Sequence, residues 1–228
     1  MIYEYTGNSV WEYNPPEDSW KRLSDYPGYS RTGAICFTGT DKGYFGLGSY
    51  YDTELEETVG ATDLWEFDPK NDTWTLIAPF PGTPRKDAVS FTINNKAFIS
   101  TGSKINSIYL RTMRDVWEYD MDSDTWTQKN DFGGYPRYKA IAFSINNKGY
   151  LGTGQIHFET GPHSGANDLA SDFWEYDYLT DSWQQIENYP GYPVEGMAFV
   201  IDSKSFAGLG KDGWTYYKKE IYQLKIQD

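Results

Sequence analysis

Cysteine is nearly absent. Cys36 stands alone, so no internal disulfide framework holds this chain, and cysteine usage leaves the redox compartment open. Long apolar runs are absent too: stretches such as Ala140-Ile141-Ala142-Phe143 are far too short to span a bilayer. Residues 1–20 show no basic start followed by an apolar segment, so no secretory signal is expected. Basic residues are the minority, with 20 Lys+Arg against 33 Asp+Glu and a formal charge of −13. A nucleic-acid binder needs a basic face to displace counterions, and an anionic membrane surface selects for the same sign. Neither partner is expected. What the chain does have is aromatic: 18% of its 228 residues, with 20 Tyr, 12 Phe and 9 Trp. Together with 22 Gly and 11 Pro, this mix suits many short strands and turns rather than helices.

The sequence repeats itself. Eight of the tryptophans form four pairs, Trp11/Trp20, Trp65/Trp74, Trp117/Trp126 and Trp174/Trp183, each nine positions apart. Around the first member the text recurs as Val10-Trp11-Glu12-Tyr13, Leu64-Trp65-Glu66-Phe67-Asp68, Val116-Trp117-Glu118-Tyr119-Asp120 and Phe173-Trp174-Glu175-Tyr176-Asp177. Eleven residues after each second Trp come Arg31, Arg85, Arg137 and Val194, and further on stand Gly48, Gly102, Gly154 and Gly210. Each unit reads as four strands. Strand a is expected at 34–37, 88–93, 140–145 and 197–201, and strand b at 43–47, 97–101, 149–153 and 205–209. Strand c is the Trp-Glu-Tyr run, and strand d opens at the second Trp. Polar turns such as Asn94-Asn95 and Asn146-Asn147 join a to b, where Asn tolerates positive φ cheaply.

Four-stranded units recurring about every 50 residues are the pattern of β-propeller blades. At these residues the chain resembles the kelch-repeat β-propeller family, in the bacterial form with Asp-x-Trp-Glu-Tyr-Asp blades. The resemblance covers nearly the whole chain. The family's double glycine after strand b is here Leu47-Gly48, Thr101-Gly102, Thr153-Gly154 and Leu209-Gly210. The expected architecture is one all-β domain over 1–228, with units at about 1–30 (partial), 31–84, 85–136, 137–193 and 194–228 (partial). That gives five blades, of which the first and last are incomplete. A fragment, or closure through another chain, remains open beside that reading. Self-association through the incomplete terminal blades is a further expectation. The family leans bacterial and exported or cell-surface, although no segment of this chain shows it.

The spacing from the glycine to strand c alone varies between units: 17 from Gly48, 15 from Gly102, 20 from Gly154 and 12 from Gly210. In up-and-down blades the b–c and d–a segments emerge on one face, and variable segments on a fixed scaffold are where binding resides. The candidate ligand-binding residues on that face are Tyr29, Arg31, Tyr51, Arg85, Tyr109, Arg137, His157, Phe158, Tyr192 and Trp214. Aromatic rings beside hydroxyl, carboxylate and guanidinium groups suit stacking plus directional hydrogen bonds, as for a sugar or peptide. The three arginines recur near the channel mouth, where guanidinium groups suit a carboxylate or phosphate. The competing reading has each arginine bound to carbonyls of its own loop.

His157 and His163, with Glu159 and Asp168 nearby, form a weak pattern for a metal, and none is expected. Asp120-Met121-Asp122-Ser123-Asp124 has Thr125 where a calcium loop needs Gly, and reads as a hairpin turn. No Gly-x-Ser-x-Gly elbow and no phosphate-cradling glycine loop occurs, so no catalytic residue is assigned and no cofactor expected. Cys36, aligned with Ser90 and Ala142, is expected at a small core position. The preferred reading is a non-catalytic kelch-type module recognising a protein or glycan through the b–c/d–a face. Two alternatives stand beside it: an enzyme acting on an acidic sugar, epimerase-like, at the channel mouth, and a structural component of a bacterial surface assembly.

Overall fold

The computed structural model describes residues 7–105, 110–157, 167–191, 193–212 and 216–225. Trp11–Asn14 pairs with Ser19–Arg22 as a two-stranded sheet, the c and d strands of the first unit. Three four-stranded antiparallel sheets follow, each in the order a-b-c-d. They are Ile35–Thr38, Gly43–Gly46, Leu64–Asp68 and Thr73–Ile77; then Val89–Ile93, Lys96–Ser100, Val116–Asp120 and Thr125–Lys129; then Ile141–Ile145, Lys148–Gly152, Phe173–Asp177 and Ser182–Ile186. A three-stranded sheet, Met197–Ile201, Lys204–Gly208 and Ile221–Leu224, ends the series. The expected all-β architecture of four-stranded blades is what the chain adopts, with two strands of the first unit and three of the last among the described residues. No α-helix occurs among the described residues, and none is long and apolar enough to cross a membrane.

Local chemistry explains the turns. Asn94-Asn95 and Asn146-Asn147 carry φ of 49° to 58°, the mirror-image hairpin turn that matches strand twist. At the c–d turns, Asp68, Asp120 and Asp177 accept the backbone N–H groups two and three residues on. Strand b stops one residue earlier than expected. Leu47, Thr101, Thr153 and Leu209 take positive φ of 57–64°, immediately before Gly48, Gly102, Gly154 and Gly210 at 84–96°. The missing first glycine therefore does not alter the bend; a strained L-residue makes it instead.

Blades are joined in three places. Apolar faces meet between them: Val89, Phe91, Ile93 and Val116 of one sheet pack on Leu151, Tyr176, Trp174 and Trp183 of the next. At the rim, two of the second tryptophans donate their indole N–H to the preceding blade, Trp74 to Ser24 O at 3.2 Å and Trp126 to Ala78 O at 3.0 Å. At the axis, Asp87 N donates to Gly33 O, Lys139 N to Asp87 O and Glu195 N to Lys139 O, at 2.9–3.2 Å. All four of these axial residues have positive φ, 56–63°.

Two expectations are corrected here. Cys36 is exposed rather than in the core. Its strand packs against Val89–Ile93 of the next blade on one side, and no strand a of the first unit covers the other among the described residues. The pairing also shifts the last unit by one position. Pro193 sits opposite Asp212 as Arg137 sits opposite Ile156, so Pro193, not Val194, holds the place of the recurring arginine.

Candidate functional site

The b–c segments rise from the blades as a second tier of small ladders. Ser49–Asp52 pairs with Glu57–Gly60, Ser103–Lys104 with Arg85–Lys86, Gln155–His157 with both Arg137–Tyr138 and Asn167–Leu169, and Lys211–Asp212 with both Pro193–Val194 and Tyr216–Tyr217. This tier fixes the face that the variable spacing singled out. Tyr29 stacks on Tyr50 with centroids 4.4 Å apart and planes within 9°. Tyr29, Tyr51, Tyr135, Tyr216 and Tyr217 are all strongly exposed. His157 is half-buried, opposite Asn167 in its ladder. Tyr109, Phe158, Tyr192 and Trp214 lie outside the described residues, as do His163 and Glu159.

The arginines are placed differently from the rings. Arg31, Arg85 and Arg137 have side chains no more than 1% exposed. Each makes a bidentate pair with an aspartate, Asp63, Asp115 or Asp172, at 2.7–2.8 Å. Each also donates from Nε to the carbonyl two residues back and from Nη1 to Leu47, Thr101 or Thr153. Each guanidinium further sits 4.9–5.2 Å from the ring of Tyr26, Phe80 or Phe132. Trp65, Trp117 and Trp174 add an indole N–H to the same carboxylates at 2.7–2.8 Å. Burial pushes these carboxyls up, but the arginine and indole bonds outweigh it and hold all three below the usual aspartate range. The aspartate two residues before the first Trp, visible in the sequence as the start of the Asp-x-Trp-Glu-Tyr-Asp text, is the partner of the arginine.

Asp87, Lys139 and Glu195 follow one another along the axial seam, with Lys211 donating to Glu195 at 2.8 Å and Lys139 paired to the same carboxylate. Asp87 carries no hydrogen bond from a described side chain. Burial raises its pKa, opposed by the positive charges of Lys139 and Lys86 and helped by the negative charge of Glu195. Among the described residues no group of three His, Cys, Asp or Glu is arranged to hold a metal. Clefts of about 620 and 590 Å³ lie along the last sheet, where Ile221–Leu224 has no strand d beside it among the described residues. A third, of about 490 Å³, opens at the rim of the variable face between the third and fourth units.

No protein-family model matches the chain. Among curated proteins it is 28% identical over 202 residues to N-acetylneuraminate epimerase of Escherichia coli, covering 76% of this chain and 51% of that protein. It is 27% identical over 167 residues to Kelch-like protein 35 of Mus musculus, covering 70% of this chain and 25% of that protein. The chain thus spans from a quarter to about half the length of these relatives. The solved structure of YjhT superposes with a TM-score of 0.68 at 16% identity, covering 84% of this chain and 63% of that one. With its recurring Trp-Glu-Tyr hairpins, its sheets in a-b-c-d order and these similarities, the chain has a kelch-type β-propeller fold and resembles kelch-repeat proteins.

Proposed function

We propose that the chain is a non-catalytic kelch-type binding module that recognises a protein or glycan through the face built by its b–c and d–a segments. One contrast carries the reading. The recurring cations of this face are withdrawn into buried ion pairs, whereas its tyrosines Tyr29, Tyr51, Tyr135, Tyr216 and Tyr217 stand 60–79% exposed. Exposed rings on a rigid frame give contact area at low entropic cost. A variant with Tyr29, Tyr51 and Tyr216 changed to Ala is expected to lose the ligands that the native chain captures on glycan and peptide arrays, with its unfolding transition unchanged. Retained binding in that variant refutes the reading.

A second reading is favoured by a separate observation. Asp87, a partly buried carboxyl with a raised pKa, stands beside Lys139 and Glu195 at the channel mouth, and relatives are named N-acetylneuraminate epimerase. Under this reading the chain acts on an acidic sugar there. NMR of N-acetylneuraminate with the native chain and with Asp87→Asn tests it; interconversion no faster than in buffer discards it. Association through the end sheets is supported by Trp11 and Trp20 at one end and Met197, Ile201 and Ile221 at the other, all about half exposed. Sedimentation of the native chain against Trp20→Lys tests that part.

A further inference from the structure

Three of the four d–a segments share one pattern, Tyr26-Pro27-Gly28-Tyr29, Phe80-Pro81-Gly82-Thr83 and Tyr189-Pro190-Gly191-Tyr192, while the fourth reads Phe132-Gly133-Gly134-Tyr135. Gly133 replaces the proline at the spot that lies on the indole of the neighbouring blade. A Cβ there would come 2.5 Å from Trp174 Cζ3, so any side chain at this position has to displace the ring or the loop. The cleft of about 490 Å³ opens at this point, within the size range of small-ligand sites, roughly 300–1,000 Å³.

Its walls have a consistent chemistry. Trp174 and the exposed ring of Tyr135 supply aromatic surface. Gln185 and Asn188 supply side-chain amides, joined by one bond of 3.3 Å, which leaves further donors and acceptors on both. The charges nearby are balanced within the protein. Asp172 is spent on Arg137 and on the Trp174 indole, and Arg114 pairs with Asp131 at 3.4 Å. A locally neutral site on a chain of charge −13 repels an anion at long range and is indifferent to a neutral ligand. Rings beside amides, without net charge, suit the apolar face and the hydroxyl edge of a sugar ring.

We propose that this cleft binds one neutral hexopyranose unit, stacked on Tyr135 with its hydroxyls on Gln185 and Asn188. The proposal rests on the reading of the variable face as a ligand-binding surface and gives that face its ligand class. The chain itself suggests variants that keep the fold: Tyr135→Thr copies Thr83, and Gln185→Leu copies Leu76, an exposed residue at the matching strand position.

Titration by NMR uses methyl galactoside, methyl glucoside and N-acetylglucosamine as neutral probes and N-acetylneuraminic acid as the anionic one. At least one neutral probe is expected to bind in the millimolar range, with both variants weakened about tenfold or more and N-acetylneuraminic acid weaker than that probe. No neutral binding up to about 20 mM, equal affinity in both variants, or tighter binding of the anion would each overturn the proposal. Tyr29, Tyr51 and Tyr216 do not line the cleft. Their triple variant therefore tests the face, and the two substitutions here test the cleft alone.

Discussion

Arg137 grips Asp172 through two parallel hydrogen bonds, Nη1 to Oδ1 at 2.7 Å and Nη2 to Oδ2 at 2.8 Å, across 35 residues of sequence. The pair ties the start of strand a to the start of strand c in one blade, and the Trp174 indole completes it. The same three-part joint recurs as Arg31–Asp63–Trp65 and Arg85–Asp115–Trp117. In the last unit all three positions change together, to Pro193, Glu220 and Tyr222. The arginine and the tryptophan are therefore parts of one device.

Breaking that device from one side leaves a charge buried. Arg85→Met is expected to cost about 3–5 kcal/mol, since Asp115 then loses its partner, and adding Asp115→Leu should recover a good part of it. Urea denaturation of both single variants, the double variant and the native chain measures the coupling. A double variant as unstable as the sum of its parts would show that the residues act independently.

Removing the third member tests the same joint from the aromatic side. Trp117 loses its bond to Asp115 and its edge-to-face contact with Phe80 when changed to Ala. A loss of about 3 kcal/mol is expected, with ligand capture unchanged at temperatures where the variant is folded. Lost capture with an unaltered unfolding midpoint would make Trp117 a contact residue instead.

Acid should undo the joints in a defined direction. Asp63, Asp115 and Asp172 have folded-state pKa values below the ordinary value, so their contribution is fully present above about pH 4, the unfolded aspartate pKa. It fades as pH falls through the lowered folded values. Thermal unfolding followed from pH 7 to pH 2 should show that fall, and Arg85→Met should show a smaller one. Parallel curves for the two proteins would contradict the assignment.

The strained position before each glycine allows a contrast. Thr101 has φ 64° and is fully buried, and its hydroxyl has no hydrogen-bond partner among the described residues. Thr101→Gly relieves about 1–2 kcal/mol of left-handed strain and the cost of that hydroxyl, against the entropy that glycine adds to the unfolded chain. A gain of about 1 kcal/mol is expected. Leu47→Gly, at φ 57°, also removes a fully buried leucine and is expected to lose about 2 kcal/mol. Calorimetry on the two variants should give midpoint shifts of opposite sign.

Much of this architecture was readable in the sequence because a blade fixes its own spacing. Tyr119 opposite Trp126 and Tyr176 opposite Trp183, with rings 4.7–4.9 Å apart, impose the hairpin text wherever a blade occurs. The partner of each arginine was less visible. The b–c segment between them changes length, so the Arg–Asp distance in sequence runs from 30 to 35 although the geometry does not change. The one-residue shift at Pro193 was hidden for a similar reason: the last d–a segment is a residue shorter, and only strand pairing reveals it. Exposure at Cys36 depends on what neighbours it in space, which spacing along the chain does not carry.

The hydrogen bonds along the axis run from peptide to peptide, N–H of one blade to C=O of the one before. Side chains take no part in them, and the four residues concerned are Gly33, Asp87, Lys139 and Glu195. Any residue that tolerates a left-handed backbone keeps the seam closed, so the mouth of the channel can exchange acid for base, or charge for nothing, without touching what holds the blades in step. The scaffold thus offers evolution a ring of positions where the electrical character of the opening is adjustable one blade at a time.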